Sequence, residues 1–521
     1  MDSAKKALVI GNHPIRQNII DQAQAKGHPV NVFNSFADIP DDYDYCDLFV
    51  LPEQGISDED TLQSLETLAQ RFPETGPAAP KPICHLLLHD QISLWLLQTL
   101  DFYVEIQRKF ELYPFTVEDQ WAKNVICQPN PSLGHYPHLD HECINRESNK
   151  TVHLLIHGLS GLGESIAIHT ALTAHFPNYE RDHALRTRIT IVDEKMRERR
   201  NAFIQRYKNL FDHSYYRTID VANGQMVQYH EPVYTSMRED FVDIEWEFIE
   251  GGFFHPIVQQ KLAYWAEAPE QMLTIALCNC ECSSNFNEAF ALPTEVYQKN
   301  IPVLVYVKHS RLLDKVKDSG MYCNLYPFGM EECGYDIKMP LLQMAKRLNY
   351  CYAYCFEHKT IPTQLNDDEV EQEWRKLESF SFRYSNIYNV MTLATKMRIL
   401  GHRDDDWEKF YALTQEEIEQ LSAVEHNRWS VDRLILGFRP PTDIEREEIE
   451  KNIQQFILAK KTGGEKPDKD LKTVYKRKKV HYDLSSYREL REDKTGENVK
   501  ALDYDLTACI PLIAQSYNEL R

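Results

Sequence analysis

Short apolar runs alternate with longer mixed segments through about the first 125 residues of the chain. The apolar runs lie at residues 7–10, 30–33, 47–51 and 82–88, and residues 61–71 have the spacing of a helix that buries one face. Unbroken apolar runs are typical of strands in a parallel sheet that is covered on both faces. The alternation therefore predicts a doubly wound α/β unit.

The same alternation begins again at residue 152 and predicts a second α/β unit. Its strand-like runs lie at residues 152–156, 189–192, 273–277 and 302–307. From its first glycine to the proline that opens its late strand, the second unit spans 144 residues against 71 in the first, so it is 73 residues longer. We place this insertion within residues 197–269, a segment that contains Tyr215, Tyr216, Tyr229, Tyr234, Trp246, Phe253 and Phe254.

An internal repeat indicates that the two units share one plan. The segment Leu112–Glu118, with sequence LYPFTVE, recurs as Leu325–Glu331, with sequence LYPFGME. Upstream of each copy, a proline opens a strand and a histidine follows seven residues later, as Pro82 with His89 and Pro302 with His309. We expect the two motifs to occupy equivalent positions, related by an approximate two-fold axis, with apolar faces buried between the units or in a homo-oligomer.

The hydrophobic pattern changes from strand-like to helical in the last third of the chain. Amphipathic spacing at residues 369–398 and 415–436 predicts helices, and Thr462–Pro467 has the composition of an exposed loop. We predict a degenerate Rossmann-like unit, a linker, a second Rossmann-like unit with the aromatic-rich insertion, a helical connector and a mainly helical C-terminal domain, at residues 1–127, 128–150, 151–357, 358–410 and 411–521.

Charge and cysteine content narrow the classes of function. The 521 residues include 58 Lys and Arg against 79 Asp and Glu, a net charge of -21, which disfavours general nucleic-acid binding while small anionic ligands stay possible. No apolar run reaches the 18 or so residues that a membrane span needs, so we expect no membrane insertion. Twelve cysteines without a secretion signal fit reduced thiols. These features predict a soluble cytoplasmic protein.

A glycine-rich turn opens the second unit. In His157–Gly163, Gly158 and Gly163 match a dinucleotide-binding fingerprint, whereas Ser160 replaces its middle glycine. Asp193 ends the next predicted strand, where a carboxylate could bind ribose hydroxyls. These residues form a candidate site for NAD or another nucleotide; the alternative is a Rossmann turn without a ligand. The first unit has the single Gly11 at this point, and we regard it as a degenerate partner.

Other chemical motifs are weak. His135–Cys143 contains three histidines and a cysteine, but Pro137 and the composition favour a linker; Cys278, Cys280 and Cys282 are best explained as buried thiols. We therefore predict no metal. No nucleophile elbow, Walker loop or paired acid motif is present, which favours a role without catalysis and leaves an enzyme open.

The C-terminal segment carries the most specific motif. Glu425–Trp429 (EHNRW) lies late in a predicted helix that ends at Gly437–Phe438, and His481–Leu484 (HYDL) is followed by Tyr487 and by a segment with Lys500 and Asp503. This order resembles the ryanodine-receptor (RyR) repeat domain over about the last 110 residues. The glycine turn is similar to the NAD-binding domain of Trk-type potassium-transport regulators. The whole chain resembles bacterial proteins that join these two domains.

A ring that can stack, permanent cations and hydrogen-bond donors occur together in this C-terminal segment. They predict a site for an anionic or nucleotide-like molecule formed by His426, Trp429, Arg433, Arg439, His481 and Tyr487. The alternative is that Trp429 is a core residue, His426 is structural and Lys476–Lys479 form a solvated face.

The resemblance implies a cytoplasmic ligand sensor or regulator of a bacterial signalling or antiviral defence system. Two other functions stay open. One is an NAD-dependent enzyme acting at the second unit, and the other is a structural partner of a transporter or other complex.

Overall fold

The computed structural model describes all of the chain except residues 1–5, 41–46, 54, 73, 75–79, 100–103, 129–134, 142, 223–224, 233–239, 318–319, 378, 403–412, 492 and 521. Tyr234 of the aromatic segment and Glu142 of the His–Cys segment therefore lie outside the described residues.

The first unit is a parallel sheet whose described strands follow the order β2-β1-β3-β4-β5. Its elements are β1 (Ala7–Gly11), α1 (Arg16–Ala25), β2 (Val30–Phe33), β3 (Asp47–Leu51), α2 (Asp58–Ala69), β4 (Ile83–Leu87), α3 (Gln91–Thr99), α4 (Val104–Lys109), β5 (Glu111–Phe115) and α5 (Val117–Cys127). Most of the residues of β1, β3 and β4 are buried, as the apolar runs predict.

The second unit is a larger sheet, in the order β13-β12-β11-β6-β7-β10-β8-β9. Its elements are β6 (Thr151–His157), α6 (Gly161–Thr173), β7 (Thr187–Asp193), α7 (Met196–Arg206), α8 (Lys208–Asp212), β8 (Tyr215–Asp220), β9 (Gln225–His230), β10 (Ile244–Glu250), α9 (Pro256–Glu267), β11 (Gln271–Leu277), α10 (Cys282–Ala289), α11 (Thr294–Gln298), β12 (Val303–Tyr306), α12 (Arg311–Lys317) and β13 (Leu325–Phe328). The described strand pairs are parallel except β8 with β9. The aromatic-rich insertion supplies β8, β9 and β10, which extend the sheet beyond β7.

The rest of the described chain is helical. Its helices are α13 (Pro340–His358), α14 (Asp367–Arg375), α15 (Phe380–Met391), α16 (Leu393–Ile399), α17 (Gln415–Ile435), α18 (Asp443–Thr462), α19 (Leu471–Lys476), α20 (Lys500–Ala508) and α21 (Ile510–Leu520). The predicted class, two doubly wound α/β units followed by a mainly helical C-terminal region, is confirmed.

The duplicated motif lies in the same place in each unit. Its Leu-Tyr-Pro-Phe residues belong to β5 and to β13, and each strand pairs with the strand that follows the repeated proline. The backbone N–H of Leu88 donates to Phe115, and that of Val307 donates to Phe328. His89 therefore corresponds to Lys308, and the sequence alignment of His89 with His309 is wrong by one residue. The cause is the strand register, because Leu112 pairs with Cys84, two residues after Pro82, whereas Leu325 pairs with Val303, one residue after Pro302.

The two units pack directly against each other, with α5 lying on α6. From α5, the Trp121 indole N–H donates to the Met330 carbonyl at 3.0 Å, and the Asn124 amide donates to Gly334 at 3.0 Å. Gly334 has φ +115°, and a side chain there would collide with the Trp121 ring. One apolar core includes residues of both sheets and of the C-terminal helices.

The segment between the units is packed and not a solvated tether. Tyr136, Leu139 and Ile144 are buried, and the Asp140 carboxylate accepts two hydrogen bonds from Arg398 Nε and one from its Nη2. These contacts attach the segment to the helical region.

Within the described residues, no helix combines the length and apolarity of a membrane span.

Candidate functional site

The glycine turn of the second unit has the tight geometry of a Rossmann turn. Gly158 has φ +97°, which an L side chain rarely adopts, and its N–H donates to the Val192 carbonyl at 2.9 Å. A Cβ atom at Gly163 would overlap the carbonyl oxygen of Gly158. Both matched glycines are therefore required by close backbone packing, whether or not a ligand binds.

The polar groups of this turn are already engaged by the protein. The buried carboxylate of Asp193 accepts the N–H of Leu159 at 2.9 Å and of Lys195 at 2.7 Å, and it pairs with Arg199 at 2.6 Å. The Ser160 hydroxyl donates to the Cys278 carbonyl at 2.9 Å. Asp193 stands at the end of β7 as predicted, but to bind a ribose it would have to exchange these partners.

In the C-terminal region, the end of α17 brings the predicted ligand residues together. The helix stops at Gly437 with φ +82°, and the N–H of Phe438 donates back to the carbonyl of Arg433 at 2.9 Å. The chain then forms a short parallel bridge, in which Arg439 bonds to Lys479 and His481 through the backbone. This bridge places His481 next to the last turns of α17.

Five rings form a continuous row along this part of the molecule. Their centroids are separated by 5.9 Å from Tyr487 to His426, 5.5 Å from His426 to Trp429, 4.8 Å from Trp429 to His481 and 5.9 Å from His481 to Phe438. Trp429 is half-buried and the other four are buried. The predicted residues His426, Trp429, His481 and Tyr487 are thus neighbours.

His426, the histidine between Tyr487 and Trp429 in the row, is held by polar contacts. His426 Nε2–H donates to the Ser485 carbonyl at 2.9 Å, and Nδ1 lies 3.6 Å from the Asp503 carboxylate. Burial opposes protonation of this ring, yet Asp503 and the Ser485 carbonyl raise the net pKa of His426 above its ordinary value. The position of His426 is therefore fixed by structural partners.

Positive charge is concentrated at the Phe438 end of the row. The Arg433 guanidinium carbon lies 5.5 Å from the Phe438 ring centroid, and Lys479 Nζ lies 4.6 Å from it. Burial, with the charges of Lys476, Lys472 and Arg433, lowers the pKa of His481 to about 3 against the opposing effect of Asp483. Three cations from α17 and α19 therefore act on one buried imidazole.

The cations near His481 differ in how well they are neutralised. Lys472 pairs with Asp483 at 2.9 Å, whereas no carboxylate of the described residues forms an ion pair with Lys476. Arg433 Nη2 donates to Asp432 at 3.0 Å, but the buried Nε of Arg433 has no hydrogen-bond partner among the described residues. Lys476 and Arg433 are thus the groups with unused capacity for an anion.

Arg439, the remaining predicted ligand residue, is committed elsewhere. Its two Nη atoms contact Glu445 at 2.8 and 2.9 Å in a bidentate pair at the start of α18. The structure therefore brings five of the six predicted residues together. The charge of the sixth, Arg439, is neutralised by Glu445. Sequence reasoning missed Lys472, although its separation of four residues from Lys476 places both on one side of a helix.

The cysteine expectation is wrong in one detail. Of the three alternating cysteines, Cys278 is buried, Cys280 is exposed and Cys282 is intermediate. They follow the last residue of β11 and do not share one strand face, and Cys282 begins α10. In the described residues, no group of three or more His, Cys, Asp or Glu side chains has the arrangement of a metal site.

No protein-family model matches the chain, and neither the curated proteins nor the solved structures include a match. The resemblance to the RyR repeat domain and to Trk-type NAD-binding domains therefore stays a prediction.

Proposed function

We propose that the chain is a ligand sensor whose C-terminal domain binds a small anionic molecule with a planar ring, of the nucleotide class. The observation that carries this proposal is the incompletely neutralised positive charge of Arg433 and Lys476 near His481, whose ring packs on the half-buried Trp429. A forked guanidinium donor recognises phosphate, and an indole face stacks on a base. The local charge is opposite in sign to the net charge of -21.

The buried charged groups around Arg433 are unequal in number. Arg428 and Lys396 both pair with Glu425, and Arg428 and Arg433 share Asp432. Among the groups that pair directly, three cations face two carboxylates, and Asp503 acts on Lys396 from farther away. Because an unpaired buried charge is costly, an anion that reaches Arg433 offsets part of that cost.

The helix that carries the site can transmit binding to the second α/β unit. α17 packs on α6 and α8, and the Asn209 amide donates to the Gly437 carbonyl at 2.8 Å. Gly437 ends α17 next to Phe438, and α6 begins at the glycine turn. A ligand that orders the end of α17 would therefore act on the second unit through direct contacts, as a signalling or defence sensor requires.

Calorimetric titration with ADP tests the proposal on the full chain. The Lys476→Gln variant should bind ADP at least about tenfold more weakly than wild type, because a charge-assisted hydrogen bond contributes roughly 1.5–3 kcal/mol. Lys478→Gln removes the same charge from an exposed neighbour and should leave binding unchanged. Equal ADP affinity in wild type and Lys476→Gln, or no ADP binding, would contradict the proposal.

A parallel titration with NAD separates the C-terminal site from the glycine turn. NAD that binds equally well to wild type and Lys476→Gln, but weakly to a folded Asp193→Asn variant, would place a nucleotide at Gly158–Gly163. That result would favour the alternative of an NAD-dependent function of the second unit.

A further inference from the structure

A cavity lies where the carboxyl ends of the strands of the two α/β units face each other. It encloses about 500 Å³ of space that opens to solvent. The first unit contributes His13, His89 and Glu118, and the second contributes Tyr306 and Glu331. Ligands of open α/β sheets bind outside the carboxyl ends of the strands, so this location is a favourable one for a site.

The duplicated motif supplies the two carboxylates of the cavity. Glu118 and Glu331 are the last residues of the two motif copies, each three positions after the phenylalanine. Glu331 pairs with Lys308 at 3.2 Å, but that lysine side chain is 56% exposed, so solvent screens the pair. Glu118 has no ion-pair partner among the described residues. The repeat thus leaves excess negative charge at the junction.

The two histidines do not neutralise these carboxylates. His13 is only 5% exposed, and its Nδ1 accepts the N–H of Ile15 at 3.3 Å, which makes Nε2 the protonated nitrogen. Within the described residues, no hydrogen-bond partner engages that Nε2–H, although His13 lines the cavity. Burial, together with the nearby His89, lowers the pKa of His13 to about 4 against the effect of Glu331, so His13 is neutral at pH 7. The His89 Nε2–H donates to the Glu53 carbonyl at 3.1 Å; this ring lowers the pKa of Glu118 but forms no ion pair with either carboxylate among the described residues.

We propose that this cavity binds a small organic ammonium ion between Glu118 and Glu331. The carboxylates would accept hydrogen bonds from the ammonium group, and Leu87, Leu162 and the Tyr306 ring would contact its carbon skeleton. A divalent metal fits less well, because the described residues hold no three-ligand group. An anion would be repelled by both glutamates. This site is separate from the C-terminal site and does not depend on the function proposed for it.

Binding of a cation at this position is coupled to proton release. Burial raises the pKa of Glu118, and the charges of Glu331 and Asp119 add to that rise, against the lowering effects of its own backbone N–H and of His89. An ammonium ion between the two groups favours the ionised form of Glu118 and so lowers its pKa. The ligand should therefore bind more tightly as pH rises through the titration of Glu118, as long as the amine keeps its proton.

Isothermal titration calorimetry with n-butylamine on the full chain tests the site. Both Glu118→Gln and Glu331→Gln should weaken binding by about tenfold or more, because each removes one charged acceptor. Glu332→Gln removes the same charge from the exposed neighbouring residue and should leave the affinity unchanged. Titrations in buffers of different ionisation enthalpy should show proton release for wild type and none for Glu118→Gln.

Three results would overturn the proposal: no butylamine binding at millimolar concentration, equal weakening by Glu332→Gln, or equal affinity for uncharged n-butanol. Thermal unfolding of each variant without ligand accompanies the titrations. Glu118→Gln removes a carboxylate without an ion pair and Glu331→Gln removes a solvent-screened pair, so both variants should keep the melting temperature of wild type, and binding lost at an unchanged melting temperature does not come from unfolding.

Discussion

Gly163 lies on α6 at the point where the helix passes over the carbonyl oxygen of Gly158. A hydrogen atom fits there and a methyl group does not, so the separation of helix and strand depends on this one residue. Gly161, two positions earlier on the same helix, has space, since its added Cβ atom would lie 3.6 Å from Gln91 Cγ. The same substitution should therefore have opposite effects at the two positions.

We expect Gly163→Ala to lower the free energy of unfolding by about 1–3 kcal/mol, because overpacking forces the backbone to shift. Gly161→Ala should be neutral or stabilising by up to about 1 kcal/mol, because alanine is the better helix former. Chemical denaturation measures both. If NAD binds at the turn, a folded Gly163→Ala protein should also lose NAD affinity. Equal stability of the two variants would contradict the packing described for α6.

At the scale of elements, α17 is a core helix that contains ionised groups. Glu425, Arg428, Asp432 and Arg433 are all buried, and Lys396 of α16 reaches Glu425 at 2.7 Å. Ser385 of α15 donates to Asp432 at 2.6 Å. The network therefore fixes α15 and α16 against α17 through charged hydrogen bonds, at the helix that carries Trp429.

Glu425→Gln should destabilise the protein by about 3–5 kcal/mol, because it leaves Lys396 and Arg428 buried without their carboxylate. The matched control is Glu447→Gln on α18, whose partner Lys451 lies at 3.7 Å in an exposed pair. That control should change stability by less than about 1 kcal/mol. Urea denaturation at pH 7 makes the comparison, and similar losses in both variants would contradict a buried network.

The same carboxylate predicts a pH dependence. Burial favours its neutral form, yet Arg428 and Lys396 lower the pKa of Glu425 to about 2 from the ordinary 4.5. Because the folded-state pKa is depressed, the stabilisation is complete above about pH 4.5 and is lost as the pH falls towards 2. The stability of Glu425→Gln should fall less steeply than that of wild type across this window, and parallel curves would exclude Glu425 as the titrating group.

At the scale of the whole molecule, the two α/β units contact each other near both copies of the duplicated motif. α5 begins within one motif copy and packs on the second unit, while Tyr335 and Ile337, shortly after the other copy, contact α1 of the first unit. The Gln22 side chain of α1 donates to the Tyr335 carbonyl at 2.8 Å and accepts the N–H of Ile337 at 3.1 Å. One amide group thus satisfies two backbone groups of the other unit.

Gln22→Ala should reduce the stability of the whole chain by about 1–3 kcal/mol, because it leaves a carbonyl and an N–H without their partner. Hydrogen exchange at the Ile337 amide should accelerate. The control is Gln17→Ala on the same helix, since Gln17 is exposed and its side chain bonds only to Asp21 within the described part of the chain. Unchanged exchange at Ile337 in Gln22→Ala would show that this contact does not hold the units together.

The periodicity of apolar residues was sufficient to predict the elements that are buried uniformly. The run at residues 47–51 is β3 (Asp47–Leu51), and the capping residues Thr414 and Glu417 together with Gly437 account for the bounds of α17 (Gln415–Ile435). The insertion was located, but its three strands were not predicted. β9 is largely exposed and has no apolar alternation, whereas β10 is buried and alternates at Ile244, Trp246 and Phe248, so its pattern was available in the sequence.

The positions of some predicted site residues follow from local sequence spacing, whereas those of others depend on contacts between distant parts of the chain. Trp429 and Arg433 share a helix, so their proximity follows from spacing alone. The neutralisation of Arg439 by Glu445 needed the bend after Gly437, and the one-residue shift that pairs His89 with Lys308 needed the strand register. Glu118 and Glu331 were visible as ends of a repeat, but only the packing of two whole units places them in one cavity.

The repeat has a consequence for how the junction can evolve. A unit that associates with an identical copy must present the same side chains from both sides, so every substitution appears twice. In this chain the two copies belong to one gene and have already diverged, since Thr116 and His89 on one side correspond to Gly329 and Lys308 on the other. Because both copies lie in one chain, each half can carry residues that its counterpart does not share.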